Sequence, residues 1–404
     1  ALRPGAICGR IVVERRSGFR RGGIASASSG FLQSGMPDSA SASVSTALSR
    51  LIARAIEGNG GWLPFDRYMA LALYAPGLGY YANTSRKFGR MPSSGSDFVT
   101  APELSPLFAR ALARQLGQAL TACGSAELWE FGAGSGALAA QLLGELGDRV
   151  QRYTIVDVSG ALRGRQRVRL APYLDRVRWV DALPETMQGV VVGNEVLDAM
   201  PVQLLHFDGS HWHERGVAEE RGGFVWRDRP TALRPPSTDD TERTYEPETT
   251  TELHAQAEAF VATLADRLTR GAAFFIDYGF PEAEYYHAQR SGGTLMCHRA
   301  HRADSDPLAE AGMKDISAHV DFTAVALAAQ QAGFDVIGYT SQARFLMNCG
   351  ILEMLQGADL QTTAHAQKLL TEHEMGELFK VLALAKGCDF APLGFCGGDR
   401  RHTL

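Results

Sequence analysis

A short apolar run, Leu128-Trp-Glu-Phe131, ends in three alternating glycines, Gly132, Gly134 and Gly136, and a helical pattern opens at Ala137. That order leaves few possible structures. A buried strand must turn sharply into a helix, and glycine tolerates the bend while leaving backbone N–H groups bare toward a ligand. Gly132 and Gly134 provide the bend and the close backbone approach, and Gly136 lets the helix pack against its strand. With Ala137 the spacing also satisfies the dinucleotide fingerprint G-x-G-x-x-G/A. The glycines therefore leave two cofactor classes open, and an unliganded strand-to-helix turn as a third reading. Glu130 bears on the choice, because a carboxylate beside the loop repels a pyrophosphate and attracts an ammonium or sulfonium group. S-adenosylmethionine (SAM) carries both of those cations.

Gln151 to Asp157 reads as the next strand, and Asp157, followed by Val158, stands where an acid accepts the two hydroxyls of a ribose. Val177 to Asp181 reads as a third strand that places Asp181 and Ala182 beside an adenine edge. The competing reading of Asp181 is a turn residue or helix N-cap. Gly189 to Gly193 is a buried strand run followed at once by Asn194-Glu-Val-Leu-Asp-Ala-Met-Pro201. Ligands of an open parallel sheet bind beyond the carboxyl ends of its strands, so Asn194, Glu195 and Asp198 point toward the cofactor's reactive end. Two carboxylates there suit a cationic or proton-losing acceptor. Alternatively, Asn194 is an N-cap and Asp198 lies on a solvated helix face. Ala272 to Asp277 supplies another strand, with Asp277 and Tyr278 at its ligand side.

Phe334 to Tyr339 and Leu378 to Ala385 complete a mixed seven-stranded α/β sheet, with a mainly helical excursion between them. Val44 to Gly58 has helical spacing, with Leu48, Leu51, Ile52, Ala55 and Ile56 on one side, and Leu63 to Leu73 and Ser105 to Leu120 read as further helices. Val202 to Phe207 and Gly223 to Trp226 suggest a small antiparallel insertion, and Arg227 to Thr251 an exposed polar loop. On this reading residues 1–43 are a tail, 44–122 a helical region, 123–386 the core with insertions at about 202–250 and 342–375, and 387–404 a second tail.

A chain of 404 residues with 45% hydrophobic content can bury a large core. No apolar run reaches the roughly 18 residues of a membrane span, and a net charge of -5 gives no general attraction to nucleic acid. The arginines at 163, 165, 167 and 169 read as a solvated or salt-bridged helix face rather than an RNA surface. Six scattered cysteines lack C-x-x-C spacing, and neither His211 with His213 nor His298 with His301, placed on a helix face, completes a metal-ligand set, so no metal is expected. The first 35 residues contain Glu14 as their one acid and precede Met36. Their composition suits a mitochondrial presequence, sequence upstream of a bacterial start, or a tail; we prefer the bacterial reading, and with it the cytoplasm over the mitochondrial matrix.

Tyr74-Ala-Pro-Gly-Leu-Gly-Tyr-Tyr81, Asp97-Phe-Val-Thr-Ala-Pro-Glu103, the glycine turn, Asn194 to Pro201, Asp277-Tyr-Gly279, Gly293-Thr-Leu295, Asp315 to Phe322 and Met375 to Lys380 follow one another in a specific order. In that order they resemble the MidA family of SAM-dependent methyltransferases, over about Leu63 to Ala385. The resemblance implies the class I, Rossmann-like methyltransferase fold and SAM as cofactor. It also implies methylation of a protein arginine, because the family's mitochondrial member is an arginine methyltransferase that assists assembly of respiratory complex I. The segment holding Asp97, Thr100, Pro102 and Glu103 would then wall the active site, with Asp277 and Tyr278 along the substrate channel. A guanidinium keeps its proton up to a pKa above about 12. Glu195 and Asp198 would grip it bidentately and take the proton as methylation proceeds. His319 and Asp321 are further candidates for orienting the substrate; a buried, hydrogen-bonded histidine is the other reading of His319. A non-catalytic assembly factor and a nicotinamide-dependent oxidoreductase are the alternative functions, and the oligomeric state is left open.

Overall fold

The computed structural model describes residues 39–83, 100–157, 160–236, 244–299 and 302–404. Seven strands build the central sheet: β1 (Glu127–Phe131), β2 (Arg152–Val156), β3 (Val177–Val180), β4 (Met187–Asn194), β5 (Leu268–Phe280), β6 (Asp335–Ser341) and β7 (Phe379–Lys386). They lie in the order β6-β7-β5-β4-β1-β2-β3, with β1 to β5 parallel and β7 antiparallel to both neighbours. This is the mixed α/β sheet expected from the strand runs. A two-residue strand, Val320–Asp321, adds alongside the carboxyl end of β5.

The middles of β4 (Val190–Val192) and β5 (Ala272–Ile276) are apolar because helices cover both faces. Successive residues point to opposite sides. Val190, Val192, Phe274 and Ile276 pack beneath α3 (Pro106–Cys123) and α4 (Ala137–Leu146). Val191, Ala273 and Phe275 pack beneath α6 (Ala255–Arg267) and α7 (Phe322–Gln331). Helix α3 has a well-defined start and stop: the Ser105 side chain accepts from the N–H of Leu107, Pro106 follows, and Gly124 ends the helix in the left-handed region. Helix α5 (Gly160–Arg169) follows β2. Among the described residues no helix is long and apolar enough to cross a membrane.

A third core joins α1 (Ser39–Gly58) and α2 (Phe65–Tyr74) to an antiparallel sheet formed by Gln203–Phe207, Trp212–Glu220, Gly223–Pro230 and Thr249–Leu253. Leu48, Ile52 and Ile56 of α1 face it, whereas Leu51, expected on the same side, is 36% exposed, because the contact follows every fourth residue. Leu63 and Pro64 pair with Trp212–Glu220 as a short strand, so the second helix starts at Phe65 rather than Leu63. The expected loop at 227–251 is also shorter than its composition suggested. Arg227 to Pro230 prolongs a hairpin strand, held by Trp62 Nε1 donating to the Arg227 carbonyl (2.7 Å) and by Arg229 over the Trp62 ring (4.5 Å). Thr249 to Leu253 pairs with Gln203–Phe207.

Register brings the site together. Phe131 is level with Val156 and Gly193, and Gly193 with Phe275. Residues 132, 157, 194–195 and 277 therefore emerge along one edge of the sheet. Farther back, Gly189 (φ 115°) and Gly271 sit opposite each other on β4 and β5, and a Cβ on Gly271 would overlap the Gly189 carbonyl. Gly271→Ala is expected to lower the unfolding free energy by about 3 kcal/mol, as overpacking does. Chemical denaturation reads it, and an unchanged midpoint would show that the strands part to admit a methyl group.

Candidate active site

Gly132, Gly134 and Gly136 all take positive φ (63°, 52° and 79°), which a residue with a Cβ adopts only at a cost. Gly132 and Gly134 line a cleft together with Thr100, Pro102, Glu130, Leu138 and Asn194. At Gly136 the positive φ is what calls for glycine, since a Cβ there would lie in ordinary van der Waals contact with Gln166 of α5. Glu130 is buried and accepts from Tyr153 Oη (2.8 Å); burial, opposed by that bond and aided by Asp157, pushes its carboxyl up to about 8. Asn194 Oδ1 is also buried and accepts no hydrogen bond among the described residues. A raised acid and an unused acceptor facing one cleft fit a ligand that brings an ammonium and N–H or O–H donors.

Asp157 is buried at the end of β2, and one of its oxygens accepts from Gln166 Nε2 (2.8 Å). The same amide donates to the Gly134 carbonyl (3.0 Å), while Gln166 Oε1 accepts from Trp179 Nε1 (2.7 Å). One side chain thus ties the glycine turn, the ribose-type acid and β3 together. Sequence reading missed it. The signal was present, since Gln166 falls between Leu162 and Leu170 at intervals of four on a helix otherwise crowded with arginine, and all three are buried.

Asp181 and Ala182 are exposed beyond β3, and the Asp181 carboxylate pairs with Arg163, which also donates to the Asp157 and Val180 carbonyls. Arg169 pairs with Glu103 at 2.7 Å and donates to Ser135 Oγ at 2.6 Å, so the arginine helix is salt-bridged as expected. Ser135 in turn donates to Glu103, and Gln141 donates to the Pro102 carbonyl (3.0 Å). These contacts latch Thr100 to Glu103 over the glycine turn. Asp97 and Val158 lie outside the described residues.

Beyond Asn194 there is no helix, which removes the N-cap reading. Glu195 takes φ 55°, and a tight turn follows through Asp198. Asp277 Oδ2 accepts the N–H groups of Val196 (2.9 Å), Leu197 (2.8 Å) and Asp198 (3.3 Å). Burial and the neighbouring Asp198 raise the Asp277 pKa well above the carboxylate range despite those donors. Its carboxylate is therefore engaged with the main chain rather than turned toward a channel. Asn194 Nδ2 donates to Glu195 Oε1 (2.7 Å), and Tyr278 Oη donates to Asp198 Oδ2 (2.6 Å) and approaches Ser317 Oγ (3.3 Å). The Tyr278 ring meets the His319 ring edge-on at 5.1 Å. Asp321, by contrast, is the N-cap of α7, accepting from Thr323 and Ala324. His298 lies on the strand Met296–Arg299, not on a helix.

A glycine cradle, two buried acids at the ends of β1 and β2 and an amide at the end of β4, on this strand order, define a class I SAM-dependent methyltransferase. A family model described as "Putative S-adenosyl-L-methionine-dependent methyltransferase" matches residues 111–340. The chain belongs to that family, as the MidA-like motif order implied, and its cofactor is SAM. It is 51% identical to a COG1565 superfamily member from Burkholderia thailandensis crystallised with S-adenosyl-homocysteine, with a TM-score of 0.87 over 91% of this chain and 99% of that one. It is also 26% identical over 85% of its length to the mitochondrial protein arginine methyltransferase NDUFAF7 of Danio rerio (88% covered), and 29% identical over 81% to the NDUFAF7 homolog of Drosophila melanogaster (82% covered). The dinucleotide reading of the glycines is thereby set aside.

Two outcomes follow. Gln166→Leu keeps the volume and deletes three hydrogen bonds, so calorimetry should show SAM affinity about tenfold weaker, the equivalent of one lost bond near 1.4 kcal/mol; wild-type affinity would make Gln166 a mere space filler. Glu130 carries its proton below pH 8, and a cation seated against it lowers that pKa, so SAM binding should release about one proton at pH 7 and tighten as pH rises toward 8. Titrations in buffers of different ionisation enthalpy count the proton, and Glu130→Gln should abolish its release.

Proposed function

We propose that this chain methylates an arginine side chain of a protein. The observation that carries the reading is the pair of buried carboxylates, Glu195 and Asp198, on the turn that leaves β4 beside Asn194 of the cofactor cleft. Two buried acids on one turn suit a guanidinium, which brings positive charge in a planar fork matched to carboxylates. The names of the mitochondrial relatives support the same acceptor class, and the Burkholderia relative supports a bacterial setting.

When bound, SAM supplies an electrophilic methyl group on a sulfonium. The chain's own residues align and desolvate the acceptor, a task of proximity and orientation. Glu195, steadied by Asn194, and Asp198, steadied by Tyr278, hold the guanidinium and localise its charge away from the reacting nitrogen. One of them takes the departing proton. His319 contributes a neutral ring: burial first, then Arg290 and Lys380, hold its pKa down to about 4, so near neutral pH it accepts a hydrogen bond from the acceptor and does not repel it. Thr100, Pro102 and Glu103 close the cofactor side.

The test supplies methyl-labelled SAM and an undigested bacterial protein extract. Label should appear in methylarginine after hydrolysis, and a folded Glu195→Gln variant that still binds SAM should transfer about 100-fold more slowly or worse, as loss of a proton acceptor does. Label on another residue type would overturn the acceptor assignment. Wild-type cellular function in that variant would favour a non-catalytic assembly role.

A further inference from the structure

A buried polar knot lies behind the acceptor side, and the chemistry above leaves it unused. Glu252 has no solvent exposure. Its Oε1 accepts the N–H groups of Thr294 (2.7 Å) and Leu295 (2.9 Å), and its Oε2 accepts from Tyr285 Oη (2.8 Å). Tyr285 Oη also lies 2.9 Å from Thr294 Oγ1 and 3.1 Å from Nε2 of buried His254. Thr294 Oγ1 accepts the main-chain N–H of His319 at 3.0 Å. Gly293 has φ 67°, and a Cβ there would overlap the Glu252 carboxylate. The motif Gly293-Thr-Leu295 is thus explained by Glu252: glycine yields the space, and the next two residues donate to the acid.

A fully buried carboxylate needs every available donor to offset its desolvation, and an apolar side chain would fill the same volume at lower cost. Such a knot is justified by what it orients. Thr294 stands in the Glu252-anchored loop, and its hydroxyl carries the outward bond to His319. The His319 ring is wedged between Tyr278 (5.1 Å) and Phe280 (5.3 Å), and its Nδ1 is buried without a hydrogen-bond partner among the described residues. Arg290 and Lys380 stand 4.2 and 5.8 Å from the Phe280 ring and act on His319 as nearby charges, and His254 of the knot is also its neighbour. Burial, with His319 as neighbour, holds His254 down to about 3, so both rings are neutral near pH 7.

We propose that Glu252, Tyr285 and Thr294 are positioning residues for His319, fixing its main chain so that the unused ring nitrogen faces the methyl acceptor. The proposal rests on the role assigned to His319 above. None of the three needs to touch SAM or the acceptor.

The experiment uses the full chain with isotope-labelled histidine, the His319 ring signal being identified by its loss in His319→Gln. In wild type that signal should stay in the neutral form from pH 8 to pH 5. Thr294→Val removes the hydroxyl at constant volume and should shift and broaden the signal, raising its titration midpoint by about one pH unit as water reaches the ring. Glu252→Gln should act in the same direction and gives the same readout if the valine variant does not fold. Thr294→Ser should restore the wild-type signal. Calorimetric SAM affinity should stay within about twofold in all of them, since the cofactor cleft is untouched, while methyl transfer to the bacterial extract falls about tenfold, the loss expected of a misplaced catalytic contact. A His319 signal unmoved in both Thr294→Val and Glu252→Gln would overturn the proposal. Wild-type transfer by His319→Gln would instead overturn the role given to His319, and the ring signal would still report whether the knot orients it.

Discussion

The turn that leaves β4 depends on the carboxylate of Asp277. No helix follows β4, and the segment points three of its N–H groups at one oxygen from the neighbouring strand. The level register of β4 and β5 makes that reach possible, and the left-handed backbone at Glu195 makes it necessary. Removing the cap would free the turn and, with it, the placement of both Glu195 and Asp198. Burial and Asp198 oppose ionisation of the cap while the N–H groups favour it.

Much of this was legible in the residues. Glycines at alternate positions between a strand and a helix announced the cofactor turn because few other sequences satisfy that geometry, and Asp157 announced itself by ending the next apolar run. The strand runs of β4 and β5 were readable because a sheet covered on both faces has no polar alternation. What escaped was whatever depends on contacts between distant segments. Asp277 looked like a channel acid because its position at a strand end was visible and its three main-chain partners, about eighty residues earlier, were not. Asp321 shows the same limit in a local form: Asp before Phe-Thr-Ala is a capping pattern, and the family resemblance of its segment suggested chemistry instead. The polar stretch after Trp226 misled because an edge strand exposes most of its side chains, so its composition mimics a loop.

The cofactor half and the acceptor half are built by different means. Around the donor, Gln166, Arg163 and Arg169 of one helix lock acids and carbonyls at the ends of neighbouring strands. On the proposed acceptor side, Tyr278, Thr294 and Ser317 come from separate segments and meet at one histidine and one aspartate. In the first arrangement each of the three side chains makes more than one hydrogen bond. The second draws its contacts from segments far apart in the chain.

The pairing of Leu63 and Pro64 with the strand Trp212–Glu220 has a consequence for how the chain is made. Helices α1 and α2 leave the ribosome early, yet the surface that covers Leu48, Ile52, Phe65 and Tyr68 is completed only when residues beyond the fourth core strand have emerged. Throughout that interval an amphipathic helix pair stands with its apolar side uncovered, and long-range closure of this kind is slow. Nascent chains stalled between these two points are therefore the species on which a holding chaperone would act.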